Sequence, residues 1–328
     1  MNKITKTQTA ELLKSWDNIL VISHASPDGD TLGSATALIR GLEKIGKTCA
    51  FVCSDPVPEK FAYLFEKLSI SKDFTMPKFA PDKIVTVDVA DAKLMGKFRE
   101  IYGDKVDLAI DHHATNTGFA DKTWVKAESS AACEMIYELL VEMEIEIDKI
   151  TADCLFTGIS TDTGCFKHRN TTAKTHEIAA ALMEMGADSF KINTSMFDTK
   201  TREQVLTEQK VMNSLEFFCD GRVAVVEIPQ SLIKETGVLE SDLEAIPSMT
   251  RQIEGVLIGI TLKEKNESEV KASLRTGDLA DSSEICGKFG GGGHQGAAGC
   301  AFYNMSLSET KHALIEECER YLKEIDKQ

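Results

Sequence analysis

Between residues 18 and 112, short runs of β-branched and aliphatic residues alternate with helical stretches, and this alternation constrains the fold more than any other feature of the chain. Residues 18–24 (NILVISH) read as a buried strand, followed by a helix over about 29–45. Residues 48–54 (TCAFVCS) are the next strand, then a helix near 61–68, then strands at 83–89 (KIVTVDV) and 107–112 (DLAIDH). Strands that alternate with helices predict a parallel sheet with helices on both faces. Ligands of such sheets sit at the carboxyl ends of the strands.

From residue 130 to about 186 the signals are helical: Ile136, Leu139 and Leu140 follow the 3.6-residue spacing, and the stretch 171–186 opens on a threonine cap and closes on Gly186. A polar helical segment over 193–215 reads as a connector. Strand patterns then return at 222–228, 255–263 and 270–276, with a glycine-rich loop at 290–293 and an amphipathic helix over about 308–325. The expected architecture is an α/β domain over 1–190, a helical linker over 191–215 and a smaller α+β domain over 216–328.

Four segments bring metal-ligating side chains to the strand ends or to a helix directed at them. They are His24-Ala-Ser-Pro-Asp28-Gly-Asp30, Asp88 at the end of VTVD, Asp111-His112-His113 at the end of LAIDHH, and Asp162 within GISTDTG. Together they supply three imidazoles and five carboxylates. Mixed histidine and carboxylate ligation suits Mn²⁺, Fe²⁺ or Co²⁺ better than the oxygen-only sets typical of Mg²⁺ or Ca²⁺. Asp88 stands alone between two ligand-rich loops and is the natural bridge between two ions. Taken singly, each segment has a plainer reading: an aspartate at a strand end is commonly a cap or turn residue. Their joint occurrence on successive strand ends favours a metal centre. In the C-terminal half, Arg275 ends a strand, and the run Gly290–Gly293 with His294 lets backbone amides approach an anion closely.

The chain carries 37 basic against 52 acidic residues, a net charge of −15, which counts against a protein that coats duplex nucleic acid. Nine scattered cysteines without C-x-x-C pairs, no leader pattern and no long apolar run predict reduced thiols in a cytoplasmic protein without a membrane span. His168, between Lys167 and Arg169, is expected to face solvent. Cys165, Trp16 and Trp124 are expected to pack rather than react.

These segments resemble the DHH phosphoesterase superfamily. HASPDGD, VTVD, IDHH and STDTG are similar to its four metal motifs, and SLRT with GGGGHQGAAG is similar to its DHHA1 substrate-binding domain. The resemblance spans nearly the whole chain and implies a DHHA1 domain facing the metal domain across a cleft. Within the superfamily the chain is similar to short bacterial oligoribonucleases that also act as 3′-phosphoadenosine-5′-phosphate phosphatases. The implied partners are short single-stranded RNA (nanoRNA), linear dinucleotides such as pApA, and phosphoadenosine phosphate, with a homodimer as a further expectation. The implied cofactors are two divalent ions, Mn²⁺ first, with Mg²⁺ or Co²⁺ as alternatives. Carried onto this sequence, the resemblance implies that His24, Asp28 and Asp88 hold one ion and that Asp30, Asp88, His112 and Asp162 hold the other. His113 would face the scissile phosphate and Asp111 would orient the histidines. Arg275 and His294, with Gly292 and Gly293, would grip the terminal phosphate or nucleotide. The chain departs from the family pattern at SLRT, where SLRS is commoner, and at residues 128–133, where alanine replaces serine or threonine; both departures bear on substrate preference. The competing readings are a cyclic-dinucleotide or pyrophosphate hydrolase, and a nucleotide sensor without catalysis.

Overall fold

A computed structural model describes residues 2–327, which form two compact units, the first extending through Thr199 and the second starting at Lys200. In the first unit, β1 (Ile19–Ile22), β2 (Cys49–Val52), β3 (Lys83–Val87), β4 (Leu108–Asp111) and β5 (Lys122–Val125) make a wholly parallel sheet in the order β2-β1-β3-β4-β5. The helices are α1 (Lys6–Ser15), α2 (Gly29–Lys44), α3 (Phe98–Tyr102), α4 (Ala132–Glu142), α5 (Lys149–Asp162), α6 (Ala173–Glu184) and α7 (Ser189–Asn193).

The strands are short, and the inner ones are buried on both faces. Successive side chains alternate across a sheet. Ile19 and Val21 therefore join Leu38, Leu139 and Leu155 of α2, α4 and α5 in one core. Leu20 and Ile22 join Met95, Phe98 and Val106 in another. Burial on both faces is what turns these strands into continuous apolar runs. The strand order reverses between β1 and β3, the crevice position at which α/β sheets bind ligands.

Two helices of this unit touch almost backbone to backbone. A Cβ added at Gly33 of α2 would lie 2.5 Å from the Cys154 carbonyl oxygen of α5. Asp148 caps α5, accepting the Thr151 amide at 2.9 Å and pairing with Lys44 at 2.9 Å. The helix expected near 61–68 is a 3₁₀ stretch, Glu59–Phe65. β5 was not expected: its four residues KTWV lie between polar turns and bury only Thr123 and Trp124. Trp16 packs against the same core as Trp124.

In the second unit, β6 (Glu216–Phe218), β7 (Val223–Ile228), β8 (Ile258–Asn266), β9 (Glu269–Thr276), β10 (Gly292–His294) and β11 (Ala297–Tyr303) form a mixed sheet in the order β10-β11-β9-β8-β7-β6. Only β7 and β8 run parallel. Its helices are α8 (Arg202–Asn213), α9 (Gln230–Thr236), α10 (Ile246–Arg251), α11 (Ser282–Gly287) and α12 (Leu307–Ile325). Helix α12 lays Leu314, Cys318, Tyr321 and Leu322 onto the sheet, positions spaced by 4, 3 and 1 and thus on one helical face. Part of the glycine run read as a loop is strand β10, which turns back into β11. No helix among the described residues is long and apolar enough to cross a membrane.

Candidate metal centre

All four candidate ligand-bearing segments of the first unit converge at the carboxyl end of the parallel sheet. His24 follows β1, Asp88 follows β3, Asp111 ends β4 with His112 and His113 after it, and Asp162 ends α5. Their donor atoms form three overlapping groups whose atoms all lie within 4.8 Å of one another: His24, Asp28 and Asp88; Asp30, His112 and Asp162; and Asp88, His112 and His113. Asp88 belongs to two of these. One of its oxygens lies 3.4 Å from His24 Nε2, and the other lies 3.4 Å from His112 Nε2 and 3.6 Å from His113 Nδ1. His112 Nε2 is also 3.8 Å from both Asp30 and Asp162. The residues expected to form the two ligand sets lie together, and Asp88, Asp30 and Asp162 all approach His112 Nε2.

Backbone groups hold the candidate ligands in place. Asp28 is the N-cap of α2, accepting the amides of Asp30 and Thr31 at 3.0 Å each. Asp30 lies fully buried and accepts the Ala132 amide at 2.6 Å and the Cys133 amide at 2.8 Å, at the start of α4. A carboxylate at a helix N-terminus meets unpaired amides and the positive end of the dipole. Asp88 adopts φ +58, a left-handed backbone that aspartate and asparagine tolerate better than most residues. Asp111 proves to orient one histidine rather than both: it contacts His113 Nδ1 at 2.8 Å and accepts Asn116 Nδ2 at 2.6 Å. His112 Nδ1 instead lies 3.2 Å from the Ser129 carbonyl.

The donors fit a divalent cation. Asp88 Oδ1 is buried and receives no hydrogen bond, a costly state for a carboxylate oxygen unless a cation meets it. Burial, then the charges of Asp88 and Asp162, push the Asp30 pKa well up. Burial, with Asp88 and Asp28 nearby, raises that of Asp162. Burial alone would lower the two imidazoles, but Asp28 and Asp88 carry His24 up to about 11, and Asp88 and Asp30 carry His112 up to about 10. Crowded carboxylates that hold protonated imidazoles among them are a site where metal displaces protons.

These shifts all run upward. A group whose pKa is higher in the folded chain stabilises it below the unfolded pKa, and that contribution is lost as pH rises through the folded value. For Asp30 and Asp162 the loss starts near the ordinary carboxylate pKa of about 3.9. For His24 and His112 it runs from 6.5 to about 11 and about 10. Chelated protein is therefore expected to melt at progressively lower temperature between about pH 6 and about pH 9, and added Mn²⁺ to reverse the trend. Thermal melts in EDTA and in Mn²⁺ check this; a melting temperature that rises with pH in EDTA contradicts it.

In the second unit, cross-strand register brings Arg275 and His294 together. Ala297 of β11 pairs with Arg275 on one side and His294 on the other, so the three side chains lie in one row on one face. Gly292 and Gly293 precede His294 in the exposed strand β10, and a Cβ at Gly293 would lie 2.5 Å from the Ala297 carbonyl. Burial and then the nearby Arg251 lower the pKa of Arg275. Sequence reasoning missed Arg251 because a lone arginine at the end of a short helix carries no pattern; its only signal is that two guanidiniums share a neighbourhood. His168 is exposed, as expected, with Nδ1 3.3 Å from the Asp162 carbonyl. Cys165 is partly buried.

The profile of the DHH family N-terminal domain matches residues 18–159, a stretch that holds every ligand candidate except Asp162. The DHHA1 domain profile matches residues 220–324. The chain belongs to the DHH family. Among the relatives of this DHH–DHHA1 protein, the bifunctional oligoribonuclease and PAP phosphatase NrnA of Thermus thermophilus is 28% identical over 94% of this chain and 91% of its own length. Its namesake from Bacillus subtilis is 25% identical over 95% and 97%. The cyclic-di-AMP phosphodiesterase PdeA of Listeria monocytogenes is 24% identical over 95% of this chain but 49% of its own length. In fold, the protein is similar to the crystal structure of an exopolyphosphatase-related protein from Bacteroides fragilis, at TM-score 0.86 and 22% identity over 97% of each chain.

Proposed function

We propose that this DHH–DHHA1 protein is a two-metal phosphoesterase that hydrolyses nanoRNA and linear dinucleotides such as pApA to mononucleotides and removes the 3′-phosphate of phosphoadenosine phosphate. The observation that carries the reading is the set of three overlapping His/Asp groups that share Asp88 and His112. Kinship with oligoribonuclease and PAP phosphatase relatives over more than nine-tenths of the chain supports the substrate class. His24, Asp28 and Asp88 hold one ion, and Asp30, His112 and Asp162, with Asp88 beside them, hold the other; the mixed donor set favours Mn²⁺, with Mg²⁺ or Co²⁺ as substitutes. Such a pair supplies charge stabilisation for the phosphate oxygens and lowers the pKa of an attacking water.

The chain's own residues do the rest. Asp111 accepts from His113 Nδ1 and raises its pKa, so the imidazolium's other nitrogen, on a ring still 39% exposed, is available to the leaving oxygen as a general acid. Arg275, with His294 and the amides of Gly292 and Gly293, binds the substrate's terminal phosphate. Replacing Arg275 by alanine is expected to raise KM for pApA about tenfold or more, the scale of one charge-assisted hydrogen bond, and to change kcat little. Steady-state kinetics on pApA check this, and an unchanged KM removes Arg275 from the phosphate grip.

The direct test incubates purified protein in Mn²⁺ with pApA, a five-nucleotide RNA, phosphoadenosine phosphate, cyclic di-AMP and pyrophosphate in parallel. AMP from pApA and from phosphoadenosine phosphate supports the proposal. Turnover confined to cyclic di-AMP or to pyrophosphate replaces it with one of those activities, and binding without turnover replaces it with a nucleotide sensor.

A further inference from the structure

One short segment serves all three members of the Asp30–His112–Asp162 group. The Ser129 carbonyl meets His112 Nδ1 at 3.2 Å, and the Ala132 and Cys133 amides bind the two oxygens of Asp30. In the same run, the Ser130 carbonyl accepts Asn170 Nδ2 at 2.8 Å. The same Nδ2 lies 3.2 Å from the Asp162 carbonyl and 3.2 Å from Asp162 Oδ2. Asn170 is brought there by a costly turn: Gly164, Cys165 and Phe166 take φ +56, +59 and +61 in succession, a left-handed run in which each non-glycine residue is strained. Phe166 anchors the turn by packing against Phe156 and stacking on His176. The segment is itself fixed by the buried Glu134, whose carboxylate accepts the Ser130 hydroxyl at 2.7 Å and its amide at 3.3 Å.

We propose that Asn170 is a positioning residue: its amide aims the Asp162 carboxylate and ties it, through the Ser130 carbonyl, to the segment that also fixes Asp30 and His112. The donation is directional. Two hydrogens on one nitrogen serve three acceptors, and a carboxylate so held approaches a cation in one orientation. Outer partners of this kind govern metal affinity on the order of 10- to 100-fold. The inference rests on the metal centre proposed above, and its test reads metal binding apart from turnover.

The test uses full-length Asn170→Ala and the isosteric Asn170→Asp, which keeps the shape, removes the donor and opposes Asp162 with a second acceptor. Mn²⁺ binding is followed by calorimetry, and the fold by circular dichroism and melting in EDTA. For Asn170→Ala the expected result is one Mn²⁺ site weakened about tenfold. Its Mn²⁺ requirement for pApA hydrolysis should rise in parallel, and its kcat should recover at excess Mn²⁺. Asn170→Asp should bind more weakly still, and its EDTA melt should fall, because the new carboxylate faces three acceptors without a donor. If Asn170→Asp binds Mn²⁺ as tightly as the parent, Asn170 only fills space and the proposal is overturned. If both variants bind metal normally and the parent hydrolyses nothing, the functional reading fails separately. Should Asn170→Ala not fold, the isosteric variant alone decides.

Discussion

Asp88→Asn is expected to lower turnover of pApA on the order of 10³-fold while the chain remains folded, the scale of loss when one preorganised electrostatic group is removed from a reaction centre. Asp88 is 3% exposed, and its two oxygens face different histidines, His24 on one side and His112 with His113 on the other. An amide in its place offers a single oxygen and turns a donor toward one of the two groups. Asparagine suits the test because it tolerates the φ of +58 found here and fills the same volume. A fold defect therefore cannot stand in for a chemical one. Turnover in saturating Mn²⁺, with circular dichroism and Mn²⁺ calorimetry on the same preparation, is the measurement. Activity within tenfold of the parent sinks the assignment of Asp88 as the shared ligand.

Gly158→Ala is expected to destabilise the first unit by about 3 kcal/mol, the usual upper scale of overpacking, and to weaken metal binding at the same time. Helix propensity alone predicts the opposite sign, since alanine gains roughly 1 kcal/mol over glycine within a helix. The surroundings decide. A Cβ at Gly158 would lie 2.2 Å from Cys133 Sγ and 2.7 Å from Asp30 Oδ1. Neither atom is the free end of a flexible chain, because Asp30 is pinned by two amides and Cys133 is fully buried. The new methyl displaces a metal-ligand candidate or parts α5 from α2. For a unit of this size the shift corresponds to a melting temperature lower by about 6–12 °C. Thermal melts and Mn²⁺ calorimetry test it, and a variant as stable as the parent shows that the helices yield more easily than their contact distances imply.

Much of this arrangement was legible in the sequence because two periodicities are loud. Doubly buried strands read as unbroken aliphatic runs, and the ligands sit where those runs stop, so His24, Asp88 and His112 could be grouped before any coordinates. What escaped had weaker signatures. β5 buries two residues of four, β10 is Gly-Gly-His, and β11 opens on Ala-Ala-Gly, small side chains that carry little strand signal. The hardest features to read were those in which the peptide itself acts. The Ser129 carbonyl and the Ala132 and Cys133 amides belong to every residue type alike, so nothing in ESSAACE announces that it holds a histidine and an aspartate. Asn170 is similar, since one asparagine after a turn has the plain reading of a turn residue. The split role of Asp111 and His112 also followed from register rather than composition: consecutive residues at a strand end point apart, and only one of the two histidines faces Asp111.

The order of the strands in the first sheet bears on how the protein is made. β1 pairs with β2 and also with β3, which begins at Lys83, and the last ligand candidate, Asp162, closes α5 long after His24 has left the ribosome. At the usual pace of synthesis, about 5–20 residues per second, the interval between His24 and Asp162 lasts roughly 7 to 28 s. Until Asp162 is made, the Asp30–His112–Asp162 group lacks one of its three members. That group closes only when α5, which ends on Asp162, packs against α2 at Gly33 and Gly158. The three candidate groups are therefore completed by tertiary packing and not by any local stretch of chain.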